Sequence, residues 1–171
     1  MPKPNNSVGR LTRMALLTAI ALTIFMAEAQ LPNPVPIPGV KLGLANIVTV
    51  YAMFLLGAGD ALMILLARVF LGSIFSGQMM TLFYSLAGGL LCWLAMVALR
   101  HVLTRRQIWV CSVIGGGCHN IGQLITAIAI TRTPALVVYL PYLLPAGMAA
   151  GLFTGLCAQF LVARLDQTNG G

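Results

Sequence analysis

The sequence predicts an all-α fold, a polytopic membrane helical bundle of about six transmembrane helices, and three observations predict it. Of the 171 residues, 59% are hydrophobic and 8% charged, against about 25% charged in an ordinary soluble domain, so polar side chains are too few to cover a water-facing surface. Long apolar runs, separated by short polar turns, fill the chain, and at about 20 residues per crossing helix they leave no room for a separate soluble domain. Finally, Lys3, Arg10, Arg13, Arg100, Arg105, Arg106 and Arg164 fall at one set of run ends and only Lys41 and Arg132 at the other. By the positive-inside rule this asymmetry puts both termini on the cytoplasmic side of a cytoplasmic (inner) membrane.

The expected first span covers residues 11–30. A basic start, an apolar stretch and Ala27-Glu28-Ala29 also resemble a secretory signal with a small-x-small cleavage site, the competing reading of this segment. Residues 31–40 follow as an external loop, because prolines at alternate positions forbid helix and favour an extended path. The next two runs, 41–56 and 61–75, are joined by a turn in which Asp60 is placed to cap the third helix. At about 15 residues each they reach only about 22 Å against a core of about 30 Å. They are therefore either full spans or a re-entrant hairpin. The remaining spans are expected at 79–102, 108–130 and 140–165, and the whole chain, 1–171, forms a single transmembrane domain without sequence repeats.

Several function classes drop out on composition and motifs. The basic residues are scattered singly rather than gathered on a face or tail, which argues against nucleic acid as a partner. Cys92, Cys111, Cys118 and Cys157 lie in apolar stretches, where cysteine behaves as a small hydrophobe. No zinc-ligand spacing occurs, so no metal site and no resident cofactor is expected. Neither a Walker loop, nor a G-x-S-x-G elbow, nor an aspartate-rich pair for magnesium diphosphate is present, which argues against an enzyme acting alone.

Polar residues inside spans are costly, by about 2.5 to 3.5 kcal/mol at mid-helix, and so mark candidate function. Here they are Glu28, Asn46, Arg68, Gln78, His119, Asn120 and Gln123, with Lys41 at the outer entrance. His119, Asn120 and Gln123 share one helical face, suited either to a ligand or to hydrogen bonds between helices. Arg68 keeps its proton in a membrane interior and needs an anionic partner, which is either Glu28 or an acidic group on a ligand. Lys41 and Arg68 against Glu28 leave the expected outer cavity net positive, which favours a small anionic or electron-rich substrate. Ala15, Ala19, Thr23 and Ala27 on the first helix, and Gly147, Gly151 and Gly155 on the last, mark close helix approach. The glycines suit internal packing; the alanines suit either packing or a partner protein. Residues 115–117, three glycines before Cys118 and His119, likewise admit a neighbouring helix or a ligand against the backbone.

The segments GVKLGLAN at 39–46, RVFLG at 68–72 and HNIGQ at 119–123 resemble the Gx transporter family, also labelled heptaprenyl diphosphate synthase component I, over about residues 13–165. That family is similar to the substrate-binding S components of energy-coupling factor transporters, six-helix proteins that capture vitamins from outside. The resemblance implies substrate contacts at Lys41, Asn46, Arg68, Gln78, His119, Asn120 and Gln123 under the 31–40 loop. It also implies docking of Ala15 and Ala19 on a transmembrane coupling protein driven by ATPases. Pro2 stands where nickel and cobalt S components carry histidine, which disfavours a metal-ion substrate. The implied function is a non-enzymatic, substrate-binding subunit of an uptake transporter for a vitamin- or cofactor-like solute. The alternative is a non-catalytic membrane subunit assembling an isoprenoid or quinone biosynthesis, or a flavin-dependent electron-transfer, system.

Overall fold

The structure is a computed structural model that describes residues 7–30, 41, 43–103 and 107–169, the side chains of 165–169 excepted. Six α-helices follow in order, with no strand among the described residues: α1 (Ser7–Glu28), α2 (Asn46–Leu55), α3 (Ala58–Ser76), α4 (Met79–Leu99), α5 (Ile108–Thr131) and α6 (Leu140–Asn169). A short 3-10 segment, Pro134–Tyr139, leads into α6. The expected loop at 31–40 lies outside the described residues.

Five segments are long and apolar enough to cross a membrane: α1, α3, α4, α5 and Pro134–Arg164. The chain is thus a multi-pass membrane protein. Its surface is apolar, with Phe70, Ile74, Phe83, Leu94, Ile125 and Phe153 exposed, whereas Arg68, His119, Asn120 and Gln123 are buried. Apolar outside and polar inside is what hydrocarbon as the surrounding solvent selects.

The second run departs from expectation. Only ten residues of it, Asn46–Leu55, are helical, about 15 Å of rise or half a hydrocarbon core, so the helix is shorter than the expected 41–56 run. The physical reason is local: Gly43 sits at φ 82°, outside the right-handed helical region, and its N–H donates to Glu28 Oε1 at 2.6 Å. A helix cannot run through that point, and α2 starts just after it. The third run, by contrast, gives a 19-residue helix that begins three residues ahead of the expected 61. Of the two runs, then, only the first is shorter than expected. Asp60 also differs from expectation. It lies inside the first turn of α3, whose N-cap is Gly57 without a side-chain cap, and its carboxylate instead pairs with Arg10 of α1.

Short turns join α2 to α3 and α3 to α4 and make these neighbours antiparallel. At the basic end, Arg10 binds Asp60, Trp93 Nε1 donates to the Ala58 carbonyl at 3.0 Å, and Arg100 Nη1 reaches Met53 Sδ at 4.0 Å. The centre of the bundle is α5, packed against α4 and α6, while α1 lies on α3 and α2. Small residues permit the α5 contacts. A Cβ on Gly116 would collide with the Gly147 carbonyl, and one on Gly155 would come within 2.6 Å of Ser112 Cβ. The expected glycine stripe of the last helix is therefore internal packing, while Ala15, Ala19, Thr23 and Ala27 face outward.

Candidate ligand-binding site

Helix α2 starts at Asn46, and its N-terminus brings the polar residues together. A helix start leaves N–H groups without intrahelical partners and carries partial positive charge. The first N–H groups of α2 are met by the Gly43, Leu44 and Ala45 carbonyls, and the turn that supplies these is held by Glu28, the last residue of α1, whose carboxylate accepts from the Gly43 N–H and also from that of Leu44. Glu28 is buried, as are Ala21 and Phe25 on the same face of α1.

The first residue of α2 is Asn46, and its amide bridges two other helices. Its Oδ1 accepts from Arg68 Nη2 of α3 at 3.2 Å. Its Nδ2 lies 3.2 Å from His119 Nδ1 of α5. The other ring nitrogen, Nε2, is 3.0 Å from Gln123 Nε2, and Gln123 Oε1 accepts from the Lys41 N–H at 3.3 Å. Arg68, Asn46, His119 and Gln123 thus form one buried network, with Lys41 entering through its backbone.

His119 fits because two glycines yield to it. A Cβ on Gly88 of α4 would stand 2.9 Å from the imidazole, and one on Gly43 would stand 3.0 Å from it. Beneath the network, a void of about 10 Å³ is lined by Asn46, Cys92, Ser112 and Thr154, room for about one water molecule.

The charge balance is unusual for a buried site. Arg68 is 2% exposed, and no ion pair joins it to Glu28. Its Nη2 reaches only a neutral amide, and its Nε finds no partner among the described residues. The interior therefore holds a guanidinium bonded to an amide rather than to a carboxylate. Toward the end away from Asp60, the Lys41 ammonium lies 3.8 Å from the centre of the Phe25 ring, a cation–π contact. Burial lowers its pKa from the ordinary lysine value, the Glu28 charge opposes that fall, and Arg68 adds to it.

Two of the expected residues lie elsewhere. Asn120 is buried but turned to α6, where its Nδ2 donates to the Leu143 carbonyl at 2.6 Å, so its amide braces two helices instead of joining the network. The reason is geometric, since neighbours along a helix point about 100° apart and His119 already takes the α4 side. Gln78 sits in the α3–α4 turn, where its Oε1 accepts from Thr81 Oγ1 at 3.3 Å. Reading the sequence missed Phe25 and Thr49. The former was legible, because Phe25 lies three residues before Glu28 on one helical face. The latter, whose buried Oγ1 has no partner among the described residues, carries no such signal. No group of three or more His, Cys, Asp or Glu comes together for a metal ion among the described residues.

Residues 17–161 match the model of a family described as heptaprenyl diphosphate synthase component I. No curated protein and no solved structure matches the chain.

Proposed function

The chain belongs to the heptaprenyl diphosphate synthase component I family, and on that premise we propose that it is a substrate-binding membrane subunit. It captures a small anionic or heteroaromatic solute, vitamin- or cofactor-like, and passes it inward with energy supplied by a separate ATPase-driven coupling protein, as in an energy-coupling-factor-like transporter. The observation that carries this reading is the buried Arg68, held by Asn46 and backed by His119 and Gln123, with its Nε unpartnered among the described residues and Glu28 acting on it through space, outside ion-pair contact. A buried cation of this kind calls for an anion. Lys41 and Gln78 line the approach in this reading, with both termini cytoplasmic and Ala15 and Ala19 available to the coupling protein.

The family description favours a second reading, a membrane component that assists a prenyl diphosphate synthase whose catalytic residues sit on another chain. Both readings make this chain a non-enzyme.

Mass spectrometry of small molecules retained through purification tests the first. One anionic or heteroaromatic species is expected with the wild type, and at least a tenfold loss of its affinity with Arg68→Met, given that a hydrogen bond to a charged group is worth about 1.5 to 3 kcal/mol. Unchanged affinity in Arg68→Met overturns the site. A saturable site without uptake by cells bearing the coupling module favours the second reading.

A further inference from the structure

We propose that the flank formed by α1 and α3 holds a bilayer lipid with an anionic headgroup, at a site that adjoins the Arg68 network at Lys41. Two adjoining hollows carry the inference. One, of about 290 Å³, is lined by the polar groups of Gln30, Lys41, Ser76 and Gln78. The other, of about 490 Å³, is an open groove walled by Leu22, Thr23 and Ala27. Met26, Gln30 and Phe75 belong to both linings, so the polar hollow and the apolar groove share a rim.

Their chemistry divides as a lipid does. Thr23 spends its hydroxyl on the Ala19 carbonyl at 2.9 Å and adds no polar demand to the groove. The polar hollow is lined by Gln30, Gln78 and Lys41, whose ammonium lies over the Phe25 ring, and by Ser76, whose hydroxyl donates to the Ser73 carbonyl at 3.2 Å; no carboxylate lines it. No ion pair joins Lys41 to a described carboxylate, and Glu28 is committed to the Gly43 N–H. A free phosphate would satisfy the donors and leave the groove unused, whereas a lipid fills both, its headgroup on Lys41 and Gln78 and its chain between α1 and α3. Neither Arg68 nor His119 lines either hollow, so lipid retention is read separately from the loss of solute in Arg68→Met, although Lys41 and Gln78 also line the approach in the transport reading.

Native mass spectrometry of the full chain in detergent tests it, with phosphatidylglycerol and phosphatidylcholine of identical chains added in parallel and glycerol 3-phosphate as the headgroup alone. The wild type should retain phosphatidylglycerol about fivefold better than phosphatidylcholine, the ratio expected of one basic residue at an anionic headgroup. Lys41→Gln should bring the two lipids to parity and Lys41→Arg should keep the preference. Thr23→Trp, or the milder Thr23→Leu if the first does not fold, should lower retention of both lipids by filling the groove. Equal retention of the two lipids by the wild type overturns the proposal, as does a preference that survives Lys41→Gln. Retention that neither Thr23 variant lowers, tight binding of glycerol 3-phosphate alone, or a dimer mass in place of bound lipid overturns it too.

Discussion

Glu28 shows how much one carboxylate can decide. In the sequence it reads as the obvious counter-ion for Arg68, because both are charged and both fall in apolar runs. In the fold it accepts backbone N–H groups at the start of α2, an interaction between charge and helix terminus that residue types alone do not announce. Glu28→Gln keeps an acceptor but removes the charge, and Glu28→Ala removes both. A hydrogen bond to a charged group contributes about 1.5 to 3 kcal/mol. Thermal unfolding in detergent should therefore rank wild type above Glu28→Gln above Glu28→Ala. Equal midpoints for all three would show that the contact does not hold α2. Arg68, Asn46, His119 and Gln123 were legible as a group, since polar side chains in apolar runs turn inward and meet. Asn120 was not, because adjacent positions on one helix serve different neighbours, and sequence spacing does not say which neighbour lies where.

At the scale of helices, hydropathy located α3 to α6 well, because an apolar stretch of crossing length has few alternatives in a bilayer. It overextended the second element. Residues 41–45 are mostly apolar and look helical, yet Gly43 takes a left-handed conformation that is fixed by a partner 15 residues away in the chain. Periodicity carries no record of such a contact. The α4–α5 seam gives a sharper test of how the elements hold the site. Gly88→Ala would press a methyl onto the His119 ring and carbonyl, at 2.9 and 2.8 Å, an overpacking that costs about 1 to 3 kcal/mol. It should also disturb retention of the solute. Gly59→Ala, at an exposed helical position with open space around it, should instead leave stability unchanged or raise it by up to about 1 kcal/mol. Parallel melting curves and retention assays on the two variants check this; similar losses in both would mean that the seam is not tight.

The molecule as a whole presents two unlike surfaces on α1. One buries Ala21, Phe25 and Glu28 against α2 and α3; the other leaves Ala15, Ala19, Thr23 and Ala27 bare. Small exposed residues at four-residue spacing let another helix approach closely. Ala15→Leu with Ala19→Leu should block assembly with a coupling protein, read by co-purification, while solute retention by the isolated chain stays within about twofold. Intact co-purification would remove these alanines from the docking face. Helix α1 is also tied to the rest at both extremities, by Arg10 to Asp60 at one and by Glu28 to Gly43 at the other. A rod pinned in that way acts as a lever: any tilt imposed on its bare side swings the Glu28 carboxylate away from the amides it grips. Asn46, three residues beyond Gly43, would then lose its footing, and Arg68 with it.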